Sequence, residues 1–320
     1  LKTKKIFREN CCLIYMEEKI IFMGTPNFSV PILKSLYDSN YKVEAVYTQS
    51  PKKKSRGQKI VKSPVHLESI KYGIPVRYPD KLDNDDDYNF LKNSDVKYII
   101  VVAYGQIIPE RLLNIPNKIF LNIHASLLPR WRGAAPIQRC IIEMDKFTGV
   151  TIMKIVPKLD AGPYMMQEKI ELKNDNFSSL SKKLSILSSK LILESLNLLK
   201  KNKANFIEQD RSKILYAKKI QKSEAEINWN IPAKNLIAKI NGLNSFPGAW
   251  FKHNDTRIKV IEAIEVNKEG RPGEVLDDYL VIGCKQKAIK IILIQKEGKN
   301  ILDIKNFLTG YKIEKGEMLT

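Results

Sequence analysis

At 320 residues the chain has room for two domains of ordinary size. Its hydrophobic fraction of 43% and charged fraction of 28% are those of a soluble globular protein, and no apolar run nears the roughly eighteen residues a membrane helix needs. A formal net charge of +19 points either to a polyanionic partner or to a composition biased toward Lys, Ile and Asn, and only the placement of the charge separates the two.

Residues 1–15 precede Met16 and lack the apolar core of a secretory signal, so they are expected to lie outside the fold. Regular patterning starts with a strand over Lys19–Met23. Gly24-Thr25-Pro26 closes it and a helix opens near Pro31; a single glycine there is not the G-x-G-x-x-G pattern of a dinucleotide site. Lys42–Thr48 reads as a second strand. The long connection Gln49–Lys62 carries five lysines and Arg56. Most charge runs are solvated, mobile loops, yet a connection longer than about twelve residues is often functional, and the end of an RNA would suit this one.

A helix is predicted from Ser63-Pro64 to Tyr72, ended by Gly73, with His66 as a surface or packing residue rather than a ligand. Pro75–Tyr78 reads as a strand. The acidic patch Asp83–Asp87 suits a helix start, where carboxylates oppose the helix dipole, and lacks the spacing of a calcium loop. Tyr98–Ala103 and Ile119–Leu121 are β-branched and apolar runs, as in buried parallel strands. Asn122 and His124 stand two apart at the end of the second run and therefore share a face, where open α/β sheets place their ligands. The chain then turns through Pro129-Arg130-Trp131-Arg132-Gly133 before Pro136 opens a helix. From Gly149 another strand leads to a turn carrying Asp160 and Gly162.

Taken singly, His124 reads as a core histidine bonded to a backbone carbonyl, and Asn122 as a turn residue. Taken together, a carboxamide, an imidazole and a carboxylate at neighbouring strand ends are able to stabilise an oxyanion and move protons.

Beyond Asp160, Tyr164–Leu172 reads as a strand and Ser178–Lys203 as a helix, with Leu180, Leu184, Leu187 and Leu191 at helical spacing. Asn202–Ser212 is a polar connector and the predicted domain boundary. A helix over Pro232–Asn241 is followed by short strands at Ala249–Lys252, Arg257–Ala263, Glu274–Leu276, Leu280–Gly283 and Ala288–Gln295, the pattern of a small β-barrel. The four cysteines, Cys11, Cys12, Cys140 and Cys284, have neither disulfide nor metal-ligand spacing, which fits a reducing compartment.

Several stretches carry a resemblance. MGTPNFSVPIL (Met23–Leu33), HASLLPRWRGAAPIQ (His124–Gln138), GVTIMKIVPKLDAG (Gly149–Gly162) and YAKKIQKSEAEINW (Tyr216–Trp229) resemble the methionyl-tRNA formyltransferase family of the folate-dependent formyltransferase superfamily, over about 16–320. The resemblance implies a Rossmann-like, mostly parallel α/β catalytic domain over 16–203, a linker over 204–220 and an OB-like tRNA-binding domain over 221–320. It implies formyl transfer from 10-formyltetrahydrofolate to the free amine of initiator methionyl-tRNA, with no metal.

By the same resemblance, Asn122 would donate to the developing oxyanion, His124 would stabilise it, and Asp160 would hold the His124 tautomer and relay a proton. Gln106, Ser126, Leu127, Leu128 and Pro129 would line the folate pocket. Lys52, Lys53, Lys54, Arg56 and Lys59 would meet the tRNA. A monomer in a bacterial cytoplasm, or in an organelle matrix, is expected, with neither DNA nor membrane as partner. An amino-sugar-nucleotide N-formyltransferase is the alternative reading, ahead of an inactive tRNA-binding module. Two departures stand out: Met144 occupies a position where glycine is expected, and the basic loop is less glycine-rich than usual.

Overall fold

The N-terminal half alternates strands and helices: β1 (Glu18–Gly24), α1 (Val30–Tyr37), β2 (Tyr41–Tyr47), β3 (Lys52–Lys54), β4 (Lys59–Val61), α2 (Pro64–Lys71), β5 (Val76–Arg77), α3 (Asp85–Asn93), β6 (Tyr98–Val102), α4 (Glu110–Leu113), β7 (Ile119–His124), β8 (Arg132–Gly133), α5 (Pro136–Ile142), β9 (Phe147–Lys154), β10 (Tyr164–Glu171) and α6 (Phe177–Lys200). The computed structural model describes residues 18–54, 59–244 and 246–320, without the side chains of Lys53, Lys54 and Lys59. The expected extension over 1–15 and Arg56 both lie outside the described residues.

Seven strands form one sheet in the order β10-β9-β7-β6-β1-β2-β5. The five from β7 to β5 are parallel; β9 and β10 run antiparallel at one side. A parallel sheet must be covered on both faces, and the sequence supplies side chains for both. On one face Ile20, Phe22, Ile100, Val102 and Leu121 pack with α1 and α6, whose Leu180, Leu184, Leu191 and Ile192 fall at helical spacing. On the other, Ile21, Met23, Tyr47, Ile99 and Val101 pack with Leu91 of α3 and Leu112 of α4. Each fully buried leucine on α6 contributes about 1.5–3 kcal/mol of apolar burial, so the sheet and this helix stand or fall together. Asn84 caps α3 by accepting from Asp87 N–H, and Asp85 to Asp87 occupy its first turn as their charge predicts.

The basic connection after β2 contains a hairpin where an irregular loop was expected: β3 and β4 pair antiparallel with Lys52 opposite Val61 and Lys54 opposite Lys59. Two-residue alternation was hidden there, because the lysines gave no apolar face to read.

The C-terminal half contains β11 (Tyr216–Ala217), α7 (Ala233–Leu243), β12 (Ala249–His253), β13 (Thr256–Val266), β14 (Val281–Gly283), β15 (Ala288–Lys296), β16 (Ile301–Asp303) and α8 (Ile304–Gly310). Its antiparallel sheet runs β12-β13-β15-β14, and β16 pairs with β15 beyond β14 along the same edge. This small all-antiparallel domain has its own core around Trp229, Leu236, Phe251, Ile258 and Ile289. The expected strand at Glu274–Leu276 is reduced to single bridges, Glu274 with Met318 and Val275 with Ile282. The reason is local: Gly273 has φ +87° and Glu274 N–H closes a turn on the Arg271 carbonyl.

The halves meet where α7 crosses α5. Gly242 makes that crossing close, since a Cβ there would lie 2.6 Å from Ile142 Cγ1 and 3.1 Å from the Gln138 carbonyl oxygen. Arg139 on α5 donates to Glu224 at 2.7 Å and to the Lys218 carbonyl at 3.0 Å, adding a polar tie beside the contact. The connector also returns to the first domain: Ile207 bridges Tyr164, and β11 pairs in parallel with β8.

Candidate active site

Strand alternation brings the Asn122 and His124 side chains out on one face of β7, beside Met153 and Thr151 of β9. The turn that follows is built around two acceptors, a buried Thr151 and a half-buried Asp145. Thr151 Oγ1 donates to the Ser126 carbonyl at 2.6 Å and accepts from Leu128 N–H at 3.1 Å. Asp145 accepts from Arg130 Nε at 2.8 Å and from Trp131 Nε1 at 2.7 Å, while Arg130 lies 4.6 Å over the Trp131 ring. That carboxylate holds the Arg130 guanidinium pKa above its ordinary value.

This packing aims the Trp131 carbonyl at His124 Nε2, 2.8 Å away. A carbonyl only accepts, so Nε2 carries a hydrogen and Nδ1 is the atom free to gain or lose one. Nδ1 faces Asp160 Oδ2 at 3.7 Å, beyond direct hydrogen-bond length. The Trp131 carbonyl, rather than Asp160, therefore fixes the tautomer. The expected carbonyl bond is made through Nε2, and it leaves Nδ1 facing the Asp160 carboxylate.

Asp160 is held from three sides. Its Oδ2 accepts from Gly133 N–H at 2.8 Å and its Oδ1 from Asn122 Nδ2 at a longer 3.3 Å. Its backbone is left-handed, φ +46°, a conformation aspartate tolerates better than most residues. Gln209, 6% exposed, supports that turn by donating Nε2 hydrogens to the carbonyls of Asp160 (2.9 Å) and Gly162 (2.7 Å). Arg132 in turn donates Nε and Nη2 to Gln209 Oε1 at 3.0 and 2.8 Å. Gly162 is required sterically, for a Cβ would sit 2.0 Å from the Lys154 carbonyl oxygen.

Asn122, His124 and Asp160 thus come together, at the carboxyl end of β7 and the turn after β9. The five expected pocket residues are placed less uniformly. Ser126 is fully buried and donates Oγ to the Arg130 carbonyl at 2.6 Å; Leu128 is buried; Leu127 and Pro129 are half-buried. Gln106 spends both ends of its amide on the backbone of the preceding loop, donating to Pro79 O at 2.8 Å and accepting from Leu82 N–H at 3.0 Å. Of the basic set, Lys52 donates to Gln49 Oε1 at 2.7 Å, and Val61, opposite it in the hairpin, is 38% exposed. Burial pushes the Cys140 thiol up to about 12, so it is no nucleophile despite lying on α5 near the site. Among the described residues no group of His, Cys, Asp and Glu is arranged to hold a metal ion, and no helix is long and apolar enough to cross a membrane.

Sequence reading missed Trp131, Asp145, Gly133, Arg132 and Gln209. The first four sit inside a motif it had singled out or just beyond it. Gln209 offered no signal, since it lies 49 residues from Asp160 in a polar connector without periodicity. A further feature adjoins the Asp160 turn: a cavity of about 350 Å³ lined by Arg132, Lys158, Gly162, Gln209 and Arg211 among others.

A parallel sheet with a carboxamide, imidazole and carboxylate at its strand ends, beside a small β domain, has the groups that a group-transfer enzyme passing through an oxyanion needs. The formyl transferase profile matches residues 18–196 and its C-terminal domain profile residues 219–312, so the chain belongs to the formyl transferase family. Among characterised relatives, the chain is 52% identical to the methionyl-tRNA formyltransferase of Pelagibacter ubique, over 95% of this chain and 99% of that one. It is 39% identical to the protein of the same name from Parvibaculum lavamentivorans, over 93% and 99%. Among solved structures, HypX from Aquifex aeolicus superimposes with a TM-score of 0.66 at 18% identity, covering 95% of this chain and 51% of that one. The N-formyltransferase from Helicobacter canadensis does so at 0.64 and 17%, covering 87% and 99%. At those identities the two structures speak for the fold.

Proposed function

We propose that this protein formylates the α-amine of initiator methionyl-tRNA with 10-formyltetrahydrofolate, acting as a monomer in a bacterial cytoplasm or an organelle matrix. The observation that carries the chemistry is the Asn122–His124–Asp160 cluster; the acceptor follows from relatives matched over nearly their whole length. The neutral amine attacks the formyl carbon, forming a C–N bond and a tetrahedral oxyanion. The carbon–N10 bond then breaks, and the proton lost by the amine ends on the folate nitrogen.

Asn122 donates Nδ2–H to the oxyanion, exchanging its long bond to Asp160 for a shorter charge-assisted one. Asp160, free on that oxygen, takes the amine proton. His124 carries it on Nδ1, beside the same carboxylate, toward the leaving nitrogen. A donor aimed at developing charge is worth about 3–4 kcal/mol of barrier. Lys52, Lys53, Lys54, Arg56 and Lys59 supply the charge for the RNA. Gln106 and the Ser126–Pro129 turn shape the walls of the donor pocket from behind, through the bonds that hold its backbone.

The test is incubation with 10-formyltetrahydrofolate and either charged initiator tRNA or an amino-sugar nucleotide. Formylmethionine released from the tRNA supports the reading; formylation of the sugar alone overturns it.

A further inference from the structure

Arg132 is 3% exposed, yet among the described residues it meets no carboxylate: Nε and Nη2 both go to the neutral amide oxygen of Gln209. A buried cation without a counter-charge is costly unless an anion completes it. Arg132 lines the cavity of about 350 Å³ beside the Asp160 turn, and so do Lys158 and Arg211, neither of which forms an ion pair among the described residues. Nearby Asp210 does not serve them, for it is taken by Lys213 at 3.0 Å and by Ser212. Glu208 is the one carboxylate on the lining, so the cavity keeps an excess of positive charge. The rest of the wall includes Val156, Pro163 and Ile214, an apolar surface fit for a flat ring or a sugar.

We infer that this cavity is a subsite for a phosphate ester on the acceptor substrate, the phosphate meeting Arg132, Lys158 and Arg211 and the attached nucleoside lying on the apolar wall. Three features converge on that class of ligand. The Arg132 guanidinium edge not spent on Gln209, formed by Nη1 and the second Nη2 hydrogen, together with Arg211, suits phosphate oxygens. The volume lies at the lower end of ligand pockets, enough for one nucleotide and too small for a folded RNA. The position is coupled to the chemistry, since Gln209 joins Arg132 directly to the Asp160 carbonyl. An anion on Arg132 would therefore be felt at the turn that carries Asp160. The inference rests on the proposed acceptor for its source of phosphate: the terminal nucleotide of the charged tRNA, with an amino-sugar nucleotide as the other source.

Calorimetric titration of the full chain with adenosine 5′-monophosphate, adenosine, inorganic phosphate and thymidine diphosphate tests it without any turnover. The nucleotide is expected to bind at least ten-fold tighter than adenosine, and phosphate to compete with it. Lys158→Ser/Arg211→Ser, both at the surface, should weaken the nucleotide ten-fold with unchanged melting temperature and folate affinity. Arg132→Lys keeps the charge and loses the fork, and should weaken it as well. In transfer assays the double variant should raise KM for charged tRNA more than it lowers kcat. Equal nucleotide affinity in wild type and double variant, or competition with the folate donor instead of the acceptor, overturns the subsite. Thymidine diphosphate binding ten-fold tighter than adenosine monophosphate keeps the subsite and overturns tRNA as its source. Nucleotide binding without any transfer to charged tRNA fails the acceptor reading alone.

Discussion

Around Asp160 each polar group is held by a neighbouring turn or a distant segment: His124 by the Trp131 carbonyl, Asp160 by Gly133 and Asn122, the turn beneath it by Gln209. In the hairpin of β3 and β4 the backbone is held chiefly by its own pairing, and Lys52 reaches only the neighbouring Gln49. On the proposed function, the difference follows from what each region must do. Charge developing at one carbon is stabilised only by dipoles already in place, because reorienting them during the reaction forfeits the gain. A polyanion is bound by charge at many phosphates through displaced counterions, and that tolerates loose placement. On the proposed function, a cross-braced cluster beside an outlying basic arm would let one chain meet both demands.

The largest blow to this contrast comes from the braced side. His124→Ala and Asp160→Asn should each lower kcat by about 10²–10⁴, the scale of a positioned acid–base group, with tRNA affinity unchanged. Single-turnover rates and filter binding on the same preparations check both halves. Near-normal rates would mean the cluster is structural. Gln209→Ala comes next: it touches no reacting atom, yet should lower kcat by about 10²-fold, as misplacement of a catalytic group by an ångström does. Gln209→Asn or Gln209→Glu should recover less than the wild-type rate, and folate affinity should hold. Loss of folding, read by melting temperature, would instead mark Gln209 as mere packing.

The loose side predicts smaller, graded effects. Converting Lys52, Lys53 and Lys54 to Ser should weaken tRNA binding and flatten its salt dependence by roughly 0.7–0.9 in log–log slope for each phosphate no longer neutralised. Measurement at three salt concentrations decides, and parallel lines for wild type and variant would free the hairpin of any role. Arg56→Ala should lower activity on tRNA with folate binding intact, because a guanidinium both pairs with phosphate and stacks on bases. The smallest effect concerns the frame. Burial pushes the Asp175 carboxyl up, but Lys183, Ser179 and the Lys173 N–H outweigh it and hold its pKa below the ordinary value. A depressed carboxylate stabilises the fold above its unfolded pKa of about 3.9 and ceases to as pH falls through the folded value. Asp175→Asn should therefore cost about 1–3 kcal/mol at pH 7 and reduce the acid-induced drop in melting temperature.

The braced cluster was more legible than the braces. Apolar runs at Lys19–Met23, Tyr98–Ala103 and Ile119–Leu121 announced the parallel strands, and spacing of two placed Asn122 and His124 on one face. Met144, flagged as standing where glycine belongs, has φ +53°, the left-handed geometry that makes glycine favourable after a helix. Gln106 shows the limit. The resemblance offers it as a pocket residue, and only the fold shows both ends of its amide bound to the backbone of Pro79 and Leu82. Arg132 and Gln209 are 77 residues apart, and no local pattern joins them. The hairpin escaped notice because its lysines show no apolar alternation.

Gly242 carries a consequence for aim. At the α5–α7 crossing a bare Cα sits against Ile142 and the Gln138 carbonyl, so the two halves pivot on a contact with almost no thickness. On the proposed function, an RNA gripped by the outer domain would be a long pointer whose tip must land on Asp160. Any wedge at the pivot is magnified by the length of that pointer, so one methyl group at residue 242 would send the tip wide while leaving both grip and target intact. The thinnest joint in the molecule sets its gauge.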